Sequence, residues 1–348
     1  MAKVCFFPRL LNSSNLFLQN LASLLKEGGE FECVGFYDEL KRKASMFDSD
    51  VFHFNWFDQC ENFSSFIYRF FVLLRVILSK KRIVWTIHNI EGHDHAAAYN
   101  KILRYFLLRF SSVIHVMSKK SLEVPFLQKY LHKVVLIPHG DYLGCYPESS
   151  LDVREKMELP NDAPIVLFLG AVRPYKNVEL LVKTFCDVKN SACPEAILLV
   201  CGSVKPAEYL DKLQKELEGH KGVVFYPKFV PDEEVSAFLK CAAFLVAPYS
   251  YKSALNSGTV IMAGSYSKTV VCPDIANVQD VQDESGGLYV YHYENDCEHE
   301  KNLGDMLKHA LADYKSGNIA EKERRLFDYV MKNSWKNNRS KWISLYLK

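Results

Sequence analysis

The chain has 348 residues, which is enough for two domains with sizeable cores. Hydrophobic residues make up 49% of it and charged residues 24%, as in an ordinary globular protein, and the formal net charge of +2 indicates no class of partner. The apolar run Val4–Phe7 is too short for a secretory signal, so we expect no targeting segment at the start of the chain.

The cysteines and the apolar stretches narrow the class of protein further. The ten cysteines are scattered without a C-x2-C pair, which indicates reduced thiols rather than a disulfide framework or a zinc site. The longest apolar stretch, Phe66–Leu78, contains Arg69 and Arg75 and is too short and too charged to span a bilayer. We therefore expect a cytoplasmic protein.

Apolar runs and helical spacings alternate along the first part of the chain. Strands that alternate with helices are typical of a parallel, doubly wound sheet, whose ligand crevice is formed by loops at the carboxyl ends of the strands. Strands are predicted at Val4–Phe7, Phe31–Tyr37, Asp50–Phe54, Ile83–Ile87, Val113–Met117 and Val134–Ile137. Helices are predicted at Leu16–Leu25, Phe63–Leu78 and Ala97–Phe110, and between the last two strands.

A second alternating set follows the polar, proline-containing linker Pro147–Pro164. We interpret the chain as an α/β protein of two Rossmann-like domains, residues 1–148 and 149–330, with a cleft between them. The aromatic, amphipathic residues 331–348 are predicted to form a helix that packs back on the body. The second set of strands is predicted at Ile165–Leu169, Ala196–Val200, Val223–Phe225, Phe244–Val246 and Val270–Cys272.

The corner that follows Ile165–Leu169 carries a local signal for anion binding. Gly170 ends the buried strand where the chain must turn tightly, and helical spacing begins at Val178. Arg173 and Lys176 lie between them, at the carboxyl end of a parallel strand and beside a helix N-terminus. Two cations in that position suit a phosphate group. The alternative, an ordinary corner with two solvated cations, is left open.

Several short motifs occur in a fixed order along nearly the whole chain. As a set they resemble the motifs of GT-B-type glycosyltransferases, close to the bacterial group 1, family 4-like enzymes that use sugar nucleotides in surface-polysaccharide assembly. The resemblance implies a GT-B fold with the donor in the C-terminal domain and the acceptor in the N-terminal domain. The motifs are Thr86-Ile87-His88-Asn89, Ile137-Pro138-His139-Gly140, Gly170 with Arg173-Pro174-Tyr175-Lys176, Val200-Cys201-Gly202, Ala247-Pro248-Tyr249, Asn256-Ser257-Gly258-Thr259 and the closing Ser334-Trp335.

The resemblance assigns the diphosphate of a nucleotide-sugar donor to these motifs. Arg173 offers a fork of hydrogen-bond donors and Lys176 a point charge. Ser257 begins a predicted helix whose free N–H groups, with Gly258, let a phosphate approach closely. In the alternative, Ser257 is only a helix cap and Gly258 a packing residue. The donor-binding residues assigned in this way are Gly170, Arg173, Lys176, Gly202, Tyr249, Asn256, Ser257, Gly258 and Thr259.

One departure from the family pattern concerns two glutamates. Many retaining members carry an E-x7-E pair, and the alignment places it at Ala254 and Met262, where both carboxylates are missing. In the family one carboxylate helps to hold the ribose of the donor and the other its sugar. We expect backbone groups around Asn256 and Ser257 to substitute. The stereochemical outcome, inverting or retaining, is left open.

The catalytic centre is placed on the loop after Ile87, because that loop leaves the carboxyl end of a predicted parallel strand. Inverting transfer needs a base for the acceptor hydroxyl proton. Asp94 is the favoured base and Glu91 the second candidate, while His88 positions the sugar phosphate or the acceptor. The alternative is that His88 and Asn89 only fix the loop through backbone hydrogen bonds. The residues assigned to the acceptor are Asn15, His93 and His139.

No metal and no cofactor are expected besides the donor substrate. In the family, a helix dipole and cations offset the charge of the leaving group. The segment Asp48-Ser49-Asp50 resembles a D-x-D metal motif of another fold, but it precedes a strand and is interpreted as a turn. His93-Asp94-His95 has no further ligand at suitable spacing.

The segment Phe66–Lys133 combines many bases and few acids with interleaved aromatic residues. This composition is typical of a surface that meets anionic lipid, and it predicts peripheral binding at the inner face of the membrane. Core-facing helices with solvated cations are the alternative, and nucleic acid is not expected because no binding motif accompanies the bases. The bases are Arg69, Arg75, Lys80, Lys81, Arg82, Lys101, Arg104, Arg109, Lys119, Lys120, Lys129 and Lys133.

The function predicted from these observations is a glycosyltransferase. It would move a hexose from a UDP- or GDP-sugar to a glycan or lipid-linked glycan acceptor in polysaccharide biosynthesis. Two rivals are left open: a nucleotide-sugar epimerase on the same fold, which needs no acceptor, and a nucleotide-sugar-binding module without catalysis.

Overall fold

The structure, a computed structural model, describes residues 1–10, 15–41, 46–89, 98–217, 219–250, 256–275 and 277–347. The chain divides into two compact units. The N-terminal unit comprises Met1–Gly140, Ser253–Asn256 and Asn333–Lys348, and the C-terminal unit comprises Asp141–Lys252 and Ser257–Lys332.

The N-terminal unit is built on a parallel sheet. Its described strands are β1 (Ala2–Phe7), β2 (Phe31–Gly35), β3 (Val51–Asn55), β4 (Arg82–Thr86), β5 (Val113–Val116) and β6 (Val134–Leu136). They lie in the order β2-β1-β3-β4-β5-β6, and every neighbouring pair is parallel. The helices between them are α1 (Leu16–Glu27), α2 (Phe36–Lys41), α3 (Phe63–Leu78) and α4 (Ala98–Phe110), with 3-10 turns at Met46–Asp48, Lys119–Glu123 and Pro125–Lys133.

The C-terminal unit repeats the plan. Its described strands are β7 (Ile165–Leu169), β8 (Ile197–Cys201), β9 (Val223–Tyr226), β10 (Phe244–Val246), β11 (Val270–Pro273) and β12 (Tyr289–Tyr291), in the parallel order β12-β11-β10-β7-β8-β9. The helices are α5 (Val153–Lys156), α6 (Val178–Ala192), α7 (Glu208–Leu217), α8 (Asp232–Cys241), α9 (Gly258–Ser265), α10 (Asn277–Ser285), α11 (Asp296–Ser316) and α12 (Ile319–Lys332). A 3-10 turn, Pro174–Lys176, separates β7 from α6.

The α/β class and the parallel sheets predicted from the sequence are confirmed. Two predicted elements differ. The strand that was expected to run to Tyr37 ends at Gly35, where a side chain would meet the Asp38 carboxylate at 2.0 Å, and α2 begins at the next residue. The helix expected between β5 and β6 is a pair of 3-10 turns, because Pro125 lacks the N–H that a continuous helix needs.

Four of the bases in the Phe66–Lys133 segment bind groups of the protein itself. The membrane contact of the segment as a whole stays a prediction. One guanidinium nitrogen of Arg69 donates to the carbonyls of Trp56 (3.0 Å), Phe57 (3.0 Å) and Gln59 (2.9 Å). Arg104 pairs with the buried Asp58 carboxylate at 3.0 Å. The other two donate to backbone carbonyls, Arg82 to Leu345 and Lys133 to Leu108 and Arg109.

The last residues of the chain complete the core of the N-terminal unit. Helix α13 (Arg339–Ser344) and the residues around it place Trp335, Trp342 and Tyr346 among the buried side chains that surround Phe17 and β1. The ring of Phe17 lies 5.4 Å from that of Trp335 and 5.9 Å from that of Trp342. Apolar burial of this kind, about 25 cal/mol per Å² of apolar surface, stabilises the segment against the sheet.

A buried chain of hydrogen bonds crosses the same sheet. His115 Nε2 donates to the Ile137 carbonyl at 2.9 Å, so His115 Nδ1 accepts from the Thr86 hydroxyl at 3.1 Å. The Thr86 oxygen then accepts from His53 Nε2 at 2.7 Å, and His53 Nδ1 accepts from the Tyr346 hydroxyl at 2.8 Å. Each member donates in one direction only, and burial lowers the pKa of His115 to about 4, which keeps its imidazole neutral.

Among the residues that the structure describes, no helix is both long enough and apolar enough to cross a membrane.

Candidate active site

Two glycines shape the corner at the end of β7. Gly170 has φ +132° and Gly202 has φ +151°, conformations that a side chain makes costly. A Cβ at Gly202 would lie 1.9 Å from the Gly170 carbonyl oxygen, so the ends of β7 and β8 pass each other too closely for any side chain. The geometry accounts for Gly202 as a support of the Gly170 corner. Its direct contact with a donor stays a prediction.

Three of the predicted donor residues come together beside that corner. Lys176 Nζ lies 3.4 Å from the Tyr249 hydroxyl and 4.7 Å from the centre of the Tyr249 ring. The Tyr249 hydroxyl in turn lies 3.1 Å from the Thr259 hydroxyl. A Cβ at Gly170 would lie 3.5 Å from Lys176 Nζ, so the ammonium group sits directly over the glycine. Loops after β7 and β10 and the first turn of α9 thus converge on one ammonium group.

Two hydrogen bonds to the loop after β10 fix the loop that carries Arg173 and Lys176. Asn177 takes a left-handed conformation (φ +52°) and donates through Nδ2 to the Pro248 carbonyl at 2.8 Å. The Ser250 N–H donates to the Tyr175 carbonyl at 2.9 Å. Arg173 has extended backbone at the start of the 3-10 turn and is partly exposed. The two cations therefore lie on a loop that the β10 loop fixes in place.

The first turn of α9 has an unusual cap. Ser257 occupies the N-cap position, but its side chain makes no cap hydrogen bond. Its own N–H donates to Asn277 Oδ1 at 2.7 Å. The substitution of backbone groups around Asn256 and Ser257 for the missing carboxylates stays a prediction. Counting partners among the described residues, Ser257 Oγ and Asn256 Oδ1 are buried and have none. A buried hydroxyl such as that of Ser257, which can both accept and donate, suits a polar ligand.

His88 lies at the carboxyl end of β4 in the N-terminal unit. Its Nε2 is 2.9 Å from Asn55 Oδ1, and Asn55 Nδ2 donates to the carbonyls of Phe7 and His53. His88 Nε2 therefore carries the proton, and Nδ1 is the acceptor nitrogen. Burial, together with the neighbouring histidines, holds the pKa of His88 well below its ordinary value, so the imidazole is neutral near pH 7.

A stacked tryptophan fixes the plane of that imidazole. Trp56 lies 3.8 Å from His88 between ring centres, with 16° between the rings, and Phe17 meets His88 edge-on at 5.2 Å. Trp56 has a left-handed backbone (φ +51°), and Arg69 binds its carbonyl. Asn55 and Trp56 were not predicted as site residues. Asn55 is the last residue of the buried strand β3 and Trp56 follows it, so both stand at the carboxyl end of a parallel strand, as His88 does.

The structure describes two of the other residues that were predicted on the acceptor side, Asn15 and His139, and their acceptor roles stay predictions. Asn15 caps α1 by accepting from the Leu18 N–H at 3.4 Å. His139 is buried, with Nδ1 2.6 Å from the Gly140 carbonyl, and its ring packs on Phe17. Asn256 Nδ2 donates to the His88 carbonyl at 3.1 Å. This contact is compatible both with a His88 that positions a substrate and with one that only fixes its loop, and the positioning role stays a prediction. The predicted residues Glu91, His93 and Asp94 lie outside the described residues.

The described ranges contain no group of three or more histidine, cysteine, aspartate or glutamate side chains placed to hold a metal ion. Asp50, from the D-x-D-like segment, accepts the Lys3 N–H at 2.9 Å, as a turn residue does. Metal-independent chemistry stays a prediction.

Comparison with known proteins gives both sequence and structural relatives. Residues 150–320 match the family described as "Glycosyl transferases group 1". A GDP-mannose:glycolipid 4-beta-D-mannosyltransferase of Xanthomonas campestris pv. campestris is 23% identical over 226 residues, which is 65% of this chain. The match spans 59% of the length of that relative.

Solved structures share the fold over the whole chain. Sucrose-phosphate synthase from Thermosynechococcus elongatus superposes with a TM-score of 0.75 at 14% identity, covering 99% of this chain and 98% of that one. Anabaena HepE in complex with UDP and glucose gives a TM-score of 0.72 at 14% identity, with the same coverage. These similarities agree with the resemblance that the sequence motifs indicate: the chain has a GT-B fold, and its residues 150–320 match the family of group 1 glycosyl transferases.

Proposed function

We propose that the protein transfers a hexose from a UDP- or GDP-sugar to a glycan or lipid-linked glycan acceptor in polysaccharide biosynthesis. The observation that carries the proposal is the convergence of Lys176, Tyr249 and Thr259 at the N-terminus of α9, beside the Ser257 hydroxyl, which has no hydrogen-bond partner among the described residues. A helix N-terminus with an ammonium group next to it is a ready site for an anionic diphosphate.

The same groups account for departure of the nucleoside diphosphate. Negative charge grows on the leaving phosphate as the glycosidic bond breaks, and Lys176, Arg173 and the N–H groups of α9 stabilise that charge. They are in place before the reaction, because the Asn177 and Ser250 hydrogen bonds fix the loop. On this proposal the C-terminal unit holds the donor and the N-terminal unit, with His88, holds the acceptor.

The relatives favour two donor classes. The Xanthomonas relative is named for GDP-mannose and a glycolipid, and the HepE structure contains UDP and glucose. Since the first matches only part of its length and the second shares only the fold, we keep both bases as candidates. The lipid-linked acceptor is supported by the glycolipid in the name of the first.

The proposed function is tested by nucleotide release. We expect UDP or GDP to appear from one matching sugar nucleotide only when acceptor is added, and the same nucleotide to raise the melting temperature, since it binds only the folded state. Turnover is expected to persist in EDTA, because cations and the helix N-terminus supply the positive potential. Isomerised donor without acceptor would indicate an epimerase, binding without turnover would indicate a binding module, and loss in EDTA restored by Mg²⁺ would contradict the metal-independent mechanism.

Peripheral membrane binding is the second part of the proposal, and the structure narrows the surface that supports it. Along α3, the side chains Phe63, Ile67, Phe71 and Leu78 are exposed and fall on one stripe, because their spacing follows the helical repeat. Ile102, Tyr105 and Phe110 of the neighbouring α4 are exposed too. We call these seven residues the α3–α4 face. Large exposed apolar patches mark interaction surfaces.

The charges around the α3–α4 face favour an anionic lipid surface as its partner. Neither helix contains an acidic residue, and Arg75, Lys101 and Arg109 on the two helices are exposed. A face with aromatic and aliphatic side chains and basic flanks is typical of helices that lie in the membrane interface. This combination would place a lipid-linked acceptor near the N-terminal unit.

Vesicle binding tests the α3–α4 face. The pair Phe63→Ser and Phe71→Ser removes two apolar side chains, each worth about 1.5–3 kcal/mol when fully buried, so affinity for vesicles containing phosphatidylglycerol should fall at least tenfold. Phe229→Ser is the matched control, since Phe229 is 63% exposed, against 61% for Phe63 and 62% for Phe71. Co-sedimentation without a preference for anionic vesicles, or an equal loss in the control, would contradict this assignment.

A further inference from the structure

A tyrosine from the segment after β6 reaches the start of α9. The Tyr142 N–H donates to Ser265 Oγ at 2.9 Å, and that hydroxyl donates to the Ile261 carbonyl at 2.8 Å, so the Tyr142 backbone is anchored to the end of α9. The Tyr142 hydroxyl lies at the other end of the helix, 3.0 Å from the point that a Cβ of Gly258 would occupy. The tyrosine thus spans α9 and brings its hydroxyl to the first turn.

The first turn of α9 is prepared for an anion. The first N–H groups of any α-helix have no carbonyl partner within the helix, and the Ser257 side chain does not cap those of α9. The first turn also contains no acidic residue. Ser257 is 3% exposed, and within the described part of the chain its Oγ has no hydrogen-bond partner. A buried hydroxyl without a partner at this position is a second, independent indication of a ligand.

We propose that Tyr142 is a further donor-binding residue, whose hydroxyl donates a hydrogen bond to a phosphate oxygen of the nucleotide diphosphate at the N-terminus of α9. The inference rests on the proposed function, which places a nucleotide-sugar donor at this helix. It adds a residue that belongs to none of the motifs around the diphosphate and lies more than a hundred positions before α9 in the sequence.

The chemistry of the group suits that role. A phosphate oxygen only accepts hydrogen bonds, so its partner must donate, and a phenol does so while it is neutral. Burial raises the pKa of Tyr142 above its ordinary value, so the hydroxyl keeps its proton throughout the neutral range. Gly258 leaves the hydroxyl room: an added Cβ would sit at 3.0 Å from it, closer than ordinary van der Waals contact.

The test compares two conservative variants, one of Tyr142, whose hydroxyl lies at the first turn of α9, and one of Tyr266, which caps the other end of that helix. Tyr142→Phe keeps the ring and removes the hydroxyl, and we expect affinity for UDP or GDP, measured by calorimetry, to fall about tenfold or more, as for a lost hydrogen bond to a charged group. Affinity for uridine or guanosine should stay at the wild-type value. Tyr266→Phe is the control, because the Tyr266 hydroxyl binds the Tyr146 backbone beside the opposite end of α9.

The outcomes separate the two proposals. If the wild-type protein binds neither UDP nor GDP, the proposed function fails, and this inference with it. If the wild type binds one of them and Tyr142→Phe binds it equally well, the donor site stands and the role of Tyr142 is overturned. An equal loss for the nucleoside and the nucleotide also overturns it, since the contact then does not involve phosphate. Melting temperatures of both variants, measured alongside, show whether each binds as a folded protein.

Discussion

Asp94→Asn is expected to lower kcat by about 10²- to 10⁴-fold while donor affinity stays close to that of the wild type. If transfer inverts the sugar, a base must take the proton of the acceptor hydroxyl, and general-base catalysis contributes about that factor. The expectation rests on the position of Asp94 in the sequence, between β4 and α4. Steady-state kinetics with saturating donor, together with calorimetry for the nucleotide, measure the two quantities separately.

Glu91→Gln and His88→Asn are the comparisons for that experiment. Glu91 is the second candidate base, so its variant should retain most of the activity if Asp94 is the base. His88 is neutral, donates through Nε2 to Asn55 and has a pKa well below its ordinary value, which makes it a weak proton acceptor. Undiminished kcat in Asp94→Asn would remove Asp94 from the mechanism. Retained anomeric configuration, followed by NMR, would remove the need for any such base.

Lys176→Ala and Arg173→Ala are each expected to weaken binding of the donor nucleotide by roughly ten- to a hundredfold. A charge-assisted hydrogen bond is worth about 1.5–3 kcal/mol, and every 1.4 kcal/mol corresponds to a factor of about ten. Lys176 has the clearer structural basis, since its ammonium group lies between the Gly170 corner and the Tyr249 hydroxyl. Titration calorimetry with UDP and GDP measures the loss.

Lys183→Ala is the matched control for the two cations. Lys183 lies on α6, one helix turn beyond the loop, and its ammonium group pairs with Glu300 on the surface at 2.8 Å. The Lys183→Ala variant removes one positive charge, as the other two variants do, and leaves the residues around Gly170 unchanged. An equal effect of Lys183→Ala would show that general electrostatic attraction explains the loss, and wild-type affinity in Lys176→Ala would contradict the proposed diphosphate site.

The sequence predicted those elements of the fold whose signals are local. Helix α3 was predicted at Phe63–Leu78 and has those bounds, because an apolar repeat follows Asn62, which caps the helix together with Ser65. The short runs at Ile165–Leu169 and Phe244–Val246 are buried along their whole length, as parallel strands between helix layers should be. Strand β12 (Tyr289–Tyr291) was missed.

The candidate site could be predicted only in part, for a related reason. Lys176 and Thr259 are recognisable because each stands beside a turn or helix signal of its own. Asn277 accepts a hydrogen bond from the Ser257 N–H, and the Tyr142 hydroxyl lies beside Gly258. Tertiary packing brings both residues to the start of α9, so no local signal in the sequence marks them. The orientation of the charged side chains was equally ambiguous in the sequence. Arg69 and Arg75 both lie among apolar residues of α3, yet Arg69 binds backbone carbonyls and Arg75 is exposed.

The buried hydrogen-bond chain that ends at Tyr346 also bears on the order of synthesis. His53 emerges early from the ribosome, but the hydroxyl that satisfies its Nδ1 comes 293 positions later. At about 5–20 residues per second that interval is roughly fifteen to sixty seconds. A buried nitrogen without a partner is costly, so the core of the N-terminal unit stays incomplete while the C-terminal unit is being made. A nascent chain stopped before α13 would therefore contain a complete C-terminal unit and an N-terminal unit whose core is unfinished. We expect chaperones to bind the N-terminal unit during the time between the synthesis of His53 and that of Tyr346.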